Sequence, residues 1–135
     1  MTIINTKPIA RMYANNGQHA EQIARCTLTG KIEKADNRPF YLGGDCGDIQ
    51  IKSARATICK GDDLGAYLDQ DGANRYGYVT ADFKTLYLMD RREYETFATA
   101  FSTRTCESAK NGGAVKLRLK HESSAMREWL ASRAH

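Results

Sequence analysis

Three polar side chains alternate with two isoleucines in the segment Asp48-Ile49-Gln50-Ile51-Lys52. Side chains of a β-strand point alternately to its two faces, so Asp48, Gln50 and Lys52 are predicted to share one face, with the isoleucines opposite. A carboxylate, an amide oxygen and an ammonium on one surface could hold a hard cation and stabilise negative charge beside it. The alternative is a half-buried strand whose polar face is simply solvated.

Two more acids lie close to this strand in the sequence. Asp45 is part of the glycine-rich turn at residues 43–47, and Glu21 lies on the margin of the apolar stripe of an earlier predicted helix. Carboxylate oxygens suit Mg²⁺, which prefers oxygen ligands and retains several waters. Both acids are therefore candidate ligands of the same site.

The order of these residues resembles the PD-(D/E)XK nuclease superfamily, which includes many restriction endonucleases, Holliday-junction resolvases and Mrr-type enzymes. That family has a helix with a glutamate, then an aspartate, then an acid or glutamine separated by one residue from a lysine. The matching pieces here are Gly17-Gln18-His19-Ala20-Glu21, Asp45 or Asp48, and Gln50-Ile51-Lys52. The resemblance covers residues 17 to 59, and the later helix-then-strand order fits the rest of the family core.

The resemblance implies a Mg²⁺-dependent (or Mn²⁺-dependent) endodeoxyribonuclease that hydrolyses phosphodiester bonds in DNA. The catalytic set would be Asp48, Gln50, Lys52 and Glu21. The metal ligands would be Asp48 or Asp45, with Gln50 and Glu21. Lys52 would orient the attacking water or stabilise the charge that develops on the phosphate. A homodimer is expected, because one domain of 135 residues carries one site and cutting both strands usually takes two.

The match departs from the usual pattern at two points. Gln50 stands where most members have an acid, and an amide brings no negative charge to a cation. Asp48 precedes Gln50 by only two residues, a shorter spacing than the family usually has, so Asp45 is the alternative aspartate. These departures favour a second interpretation, a catalytically inactive nuclease-fold protein that binds nucleic acid or a protein partner in a regulatory role.

Positive charge extends beyond Lys52. Arg55 and Lys60 follow it, and the later segment Lys116-Leu117-Arg118-Leu119-Lys120 alternates three cations with two leucines. Strand alternation predicts that Lys116, Arg118 and Lys120 share one face, from which all of these cations could contact DNA phosphates with release of counterions. The alternative is an edge strand whose charges discourage aggregation.

The predicted elements that would position these residues alternate between helices and strands. A helix from Gly17 has an apolar stripe ending near Gly30, and a second helix begins at Asp90, with Glu93 completing a capping-box signature. Strands are predicted at 39–42, 48–52, 54–59, 75–79, 85–89 and 115–120, one helical turn near 64–68, and a last helix around Met126, Trp129 and Leu130. This order predicts an α/β (α+β) fold with a central mixed β-sheet flanked by helices and a restriction-endonuclease-like core.

Composition sets the wider bounds. The chain has 135 residues, of which 41% are hydrophobic and 27% charged, and its net charge is +4. We therefore expect a single domain over residues 1–135. Residues 1–16 are expected to form an arm, or a short helix from Pro8 to Ala14. No apolar run is long enough for a membrane span or a signal peptide, and we expect a cytoplasmic protein. The cysteines lack metal-site spacing and are predicted to be buried. The sequence has no phosphate-binding loop motif, so we expect no small-molecule organic cofactor.

Overall fold

The computed structural model of the protein describes residues 1–34, 38–42, 47–61, 63–106, 113 and 115–134. Within these ranges the chain forms eight strands and four helices. In order they are β1 (Thr2–Asn5), α1 (Asn16–Thr29), β2 (Phe40–Tyr41), β3 (Asp48–Ser53), β4 (Thr57–Lys60), α2 (Leu64–Asp71), β5 (Arg75–Val79), β6 (Thr85–Asp90), α3 (Arg91–Phe101), β7 (Ser102–Cys106), β8 (Val115–Leu119) and α4 (Ser124–Arg133).

The strands form two sheets. The larger sheet has the order β1-β6-β5-β3-β2, in which β3 runs parallel to β5 and the other pairs are antiparallel. The smaller sheet is antiparallel, with the order β4-β8-β7. The predicted mixed α/β class is therefore confirmed, with a second sheet that the sequence pattern did not indicate.

Strand β3 lies near one side of the larger sheet and is only partly covered there. Its neighbour β2 pairs at two positions, Phe40 with Ile49 and Tyr41 with Asp48. From Gln50 to Ser53, the ladder partners of β3 in the described part of the chain are all on β5. The second half of β3 is therefore an open sheet edge.

Helix α1 covers one face of this sheet. The side chain of Asn15 caps its start by accepting a hydrogen bond from the backbone N–H of Gln18, and Gly30 ends it in the left-handed conformation with φ 77°. Its small residues Ala20 and Ala24 pack against the fully buried Ile49 in one apolar cluster. Burial is not confined to the predicted apolar stripe, because every residue of α1 from His19 to Cys26 is buried.

The opposite face carries an aromatic core beneath α3. The rings of Tyr76 and Tyr94 stack with centroids 4.2 Å apart, and Phe97 packs between Tyr78 and Trp129. The predicted capping box at the start of α3 is present, with hydrogen bonds in both directions between Asp90 and Glu93. Tyr76 and Tyr78 are thus packing residues of this core.

Three predicted elements differ from the structure, and one strand was not predicted. The N-terminal arm contains strand β1, paired with β6, and residues 8–14 are not helical. The strand expected over 54–59 begins only at Thr57, because a turn containing Arg55 at φ 66° separates β3 from β4. The single turn expected near 64–68 is the eight-residue helix α2, capped by Asp63. Strand β7 was not predicted.

Candidate active site

A cleft of about 660 Å³ lies at the open edge of β3. It is bordered by the first turns of α1, the second half of β3, the β3–β4 turn with β4, and one face of α2. The side chains along it that could take part in binding or catalysis are those of Glu21, Gln50, Lys52, Lys60, Tyr67 and Asp71.

The cleft wraps around the edge of the sheet. Gln50 and Lys52 pair in register with Tyr76 and Tyr78, so they point to the face that carries the aromatic core. Helix α2 belongs to that side, because its Leu68 packs in the same apolar cluster as the two tyrosines. Helix α1 lies on the other face, so its acid and the acid of α2 border the cleft from opposite sides.

Lys52 is held inside this cleft. Its Nζ donates a hydrogen bond to the backbone carbonyl of Thr57 at 3.1 Å, which the β3–β4 turn brings back beside it. Partial burial lowers the pKa of the Lys52 ammonium, while the carboxylates of Asp71 and Glu21 oppose that shift. A desolvated ammonium interacts more strongly with nearby charge than a solvated one.

Gln50 borders the cleft with an unpaired acceptor. The side chain is 9% exposed, and within the described residues its Oε1 has no hydrogen-bond partner. An unsatisfied buried polar atom costs roughly 1–3 kcal/mol. Because the residue borders a polar cleft, a cation or water that reaches this oxygen from the cleft would satisfy it.

Glu21 reaches the cleft from α1 and is fixed by a neighbour. Its Oε1 accepts a hydrogen bond from Arg25 Nε at 3.0 Å, one turn later on the same helix, and both side chains are mostly buried. The Arg25 guanidinium in turn stacks over the ring of Phe40, 4.4 Å from its centroid. The sequence-predicted pieces Glu21, Gln50 and Lys52 therefore meet at one cleft.

The two candidate aspartates differ in what the structure shows. Asp48 shares a strand face with Gln50, but it is not among the described residues that border the cleft. Its backbone carbonyl accepts a hydrogen bond from the N–H of Asn74 at 3.0 Å. Asp45 lies outside the described residues.

Two cleft residues of α2 were missed by the sequence analysis. Tyr67 and Asp71 are four residues apart and share one side of the helix. Burial raises the pKa of the Asp71 carboxyl, and the positive charge of Lys52 opposes this. The signal was Leu64, Leu68 and Asp71 at i, i+4 and i+7, an apolar stripe that ends in an acid, hidden by the assignment of this segment to a loop.

The predicted basic residues occupy the outer side of the smaller sheet. Of the three cations predicted to share one strand face, Arg118 and Lys120 are exposed and Lys116 is half-buried. A register shift between Thr57 and Cys59 brings Thr57 opposite Arg118 and Lys60 opposite Lys116. Lys60 is also exposed and borders the cleft, which connects the basic face to it.

The donor set of the cleft suits a hard cation only in part. Over the described ranges of the chain, no three His, Cys, Asp or Glu side chains cluster closely enough to hold a metal ion. A cation site here would therefore need the amide oxygen of Gln50 beside the carboxylates of Glu21 and Asp71. The unpaired Gln50 Oε1 fits that role. Cys26 and Cys59 are buried, as expected of small apolar side chains.

Beyond the cleft, none of the helices in the described ranges has the length and apolar character needed to cross a membrane.

Comparison of the chain with protein-family models, with curated proteins and with solved structures finds no match. The function must therefore be argued from the side chains that meet at the edge of β3.

Proposed function

We propose that this protein is a Mg²⁺-dependent DNA endonuclease of the PD-(D/E)XK type, able to use Mn²⁺, that hydrolyses phosphodiester bonds. The observation that supports it best is the convergence of Glu21 from α1 with Gln50 and Lys52 from β3 at one cleft. They are two of the three parts of the sequence pattern, the helix glutamate and the glutamine–lysine pair, and they come from two separate elements. A solvated strand face would not require a helix glutamate to meet it.

Glu21 and Gln50 would hold the divalent cation. Both present oxygen donors, which Mg²⁺ prefers, and the Gln50 oxygen has no hydrogen-bond partner in the described part of the chain. When bound, the cation would stabilise negative charge on the phosphate as a Lewis acid. The ion pair with Arg25 holds the Glu21 side chain in the orientation that borders the cleft.

Lys52 would stabilise the charge that builds on the phosphate oxygens as the bond breaks. The hydrogen bond to Thr57 fixes its ammonium in the cleft, so little reorganisation is needed during the reaction. Loss of one such preorganised donor commonly costs about 2.7–4 kcal/mol in activation free energy, or roughly 10²–10³ in rate. Its loss should therefore reduce turnover far more than DNA binding.

The basic face of the smaller sheet would contact the DNA backbone. Lys60 borders the cleft and lies opposite Lys116, and exposed Arg118 and Lys120 continue along β8. Arg55 adds an exposed cation in the β3–β4 turn. Phosphates bound along this row would release counterions, so DNA affinity should fall steeply with salt. We further propose a homodimer, because one hydrolytic site cuts one strand and a double-strand break requires two.

One observation favours a second candidate. The position next to Lys52 on the strand face is the neutral Gln50, and Asp48 does not border the cleft. A protein with this site could bind nucleic acid, or a protein partner, without cleaving DNA, in a regulatory role. It would keep the basic face and its salt dependence and would lack metal-dependent turnover.

A cleavage assay distinguishes the two candidates. Plasmid, branched and base-modified DNA would each be incubated with wild-type protein and with Lys52→Ala, in Mg²⁺ and in Mn²⁺. We expect metal-dependent cleavage by the wild type, loss of cleavage in Lys52→Ala with DNA binding retained, and unchanged cleavage in Lys31→Ala, which removes an exposed lysine just after α1. Salt-sensitive DNA binding without cleavage of any substrate would favour the regulatory protein.

A further inference from the structure

Asp71 is an acid placed where neither the helix nor the core needs one. It is the last residue of α2, and a carboxylate at a helix C-terminus faces the negative end of the helix dipole. The side chain is half-buried, which adds a desolvation cost. Local structure thus disfavours a negative charge here.

No contact in the described part of the chain compensates these costs directly. Asp71 has no side-chain hydrogen bond and no ion pair there, although the charge of Lys52 acts on it across the cleft. On the same helix, Asp69 is exposed and forms an ion pair with Arg91. The two acids of α2 therefore differ: one has a surface partner, and the other faces the cleft.

A second, independent feature points into the same cleft. Gln50 is 9% exposed, and its Oε1 is a buried acceptor without a hydrogen-bond partner in the described residues. The carboxylate and the amide oxygen border one space, and neither accepts a hydrogen bond from the described residues. A divalent cation would bind both oxygens and add to the partial compensation that the Lys52 ammonium gives the carboxylate.

We propose that Asp71 is a ligand of a divalent cation held in the cleft with Glu21 and Gln50, and that it supplies the negative charge that Gln50 lacks. This inference rests on the proposed hydrolytic function. Glu21 is already paired with Arg25, so a site of Glu21 and Gln50 alone would be weak. Mg²⁺ is usually bound through one or two carboxylates with retained waters and substrate phosphates, and Asp71 brings this site to two.

Asp71 also explains how the site functions with Asp48 outside the cleft. The acid would come from α2, which follows β4, and would lie across the cleft from Glu21, so the cation would be held between the two helices at the sheet edge. Lys52, which interacts with both carboxylates, would then lie beside the cation and next to the phosphate bound there.

Calorimetric titration with Mn²⁺ tests this without any measurement of activity. We expect Asp71→Asn to weaken Mn²⁺ binding at least ~10-fold, the lower end of what losing even an outer-shell partner of a metal site costs. Asp69→Asn is the matched control, since it removes the same charge two residues away on an exposed side of α2, and it should bind Mn²⁺ as the wild type does. Asp48→Asn should also leave the affinity unchanged.

Other outcomes would overturn the proposal. Equal Mn²⁺ affinity in wild type and Asp71→Asn would show that Asp71 only balances the charge of Lys52, and a loss confined to Asp48→Asn would assign the site to the strand. A wild-type protein that binds no Mn²⁺ would also contradict it. Circular dichroism and a thermal melt without metal confirm that each variant is folded. Mn²⁺ binding that depends on Asp71, with no DNA cleavage, would support the site and reject the nuclease.

Discussion

Strands β3 and β5 are neighbours in the larger sheet, but their side chains on the same face have different surroundings. Tyr76 and Tyr78 of β5 are buried in the aromatic core, whereas their register partners Gln50 and Lys52 on β3 border a polar cleft. Strand β5 is paired on both sides, by β3 and β6, and α3 covers it. In the described part of the chain, the second half of β3 pairs only with β5. Position in the sheet, at its centre or at its edge, therefore decides whether these side chains are buried in the core or border the cleft.

The largest effect should come from the core. Phe97 is fully buried and contacts the rings of Tyr78, Tyr94 and Trp129, so Phe97→Ala should lower the free energy of unfolding by about 3–5 kcal/mol. Urea denaturation measures it. Thr99→Ala, at an exposed position of the same helix, is the control and should stay within about 0.5 kcal/mol of wild type. A loss below about 1 kcal/mol would show that this core is not closely packed.

A side chain added at Gly77 of β5 would crowd residues of the neighbouring strands β3 and β6. A Cβ there would lie 2.7 Å from Ile51 Cδ1 and 3.0 Å from Leu86 Cδ1. Both are side-chain ends that can shift, so Gly77→Ala should cost about 1–3 kcal/mol in unfolding free energy. In Gly65→Ala of α2 the new Cβ would meet no atom closer than 3.4 Å, and that variant should be stabilised by about 0.4–1 kcal/mol. Equal effects of the two changes would contradict the packing described here.

Replacing Gln50 at the edge of β3 should lower activity without lowering stability, unlike a replacement in the core. Gln50→Leu removes a buried amide whose oxygen is unpaired in the described residues, so stability should stay equal or rise by about 1 kcal/mol while metal-dependent cleavage is lost. The same change at exposed Gln70 should alter neither property. A marked loss of stability in Gln50→Leu would indicate that this amide is structural.

Gln50→Glu gives the complementary result. The added carboxylate should tighten Mn²⁺ binding, measured by calorimetry, if residue 50 is a ligand, because a charged oxygen holds a divalent cation more strongly than a neutral one. Unchanged affinity would remove residue 50 from the proposed site.

The smallest effect on stability should come from the basic face. Replacing Lys116, Arg118 and Lys120 with alanine should leave the urea midpoint nearly unchanged but flatten the logarithmic salt dependence of DNA binding by up to ~3 ions, because each cation that binds a phosphate releases about one counterion. A matched triple variant at exposed Lys31, Arg92 and Arg127 should keep the wild-type slope. An unchanged slope in the first variant would assign this face to solubility.

The sequence predicted most of the elements near the site because each had a strong local signal. Alternation identified β3, a glycine stop and an apolar stripe identified α1, and Asp90 with Glu93 marked the start of α3. Strand β7 follows α3 without an intervening turn residue, and its segment Ser102–Cys106 is too polar to reveal a buried face. Tertiary pairing with β8 therefore decides its structure.

The site was predictable where a strand pattern or the family resemblance indicated its residues. The strand trio follows from alternation, and the family resemblance added Glu21. Asp71 could not be assigned, because four aspartates occur between residues 62 and 71 and only the packing of α2 selects the one that borders the cleft. Alternation also grouped Asp48 with Gln50, because it fixes a strand face but not how far along that face a cleft extends.

The position at which a divalent ion binds tests the proposed site most directly. Crystals of the protein soaked in Mn²⁺ would be measured near the manganese absorption edge, and an anomalous difference map calculated. We expect a peak in the cleft at the edge of β3, with oxygen ligands from Glu21, Gln50 and Asp71 and with Lys52 beside it. An empty cleft in crystals that take up Mn²⁺ elsewhere, or a peak held by Asp48 away from Gln50, would contradict it.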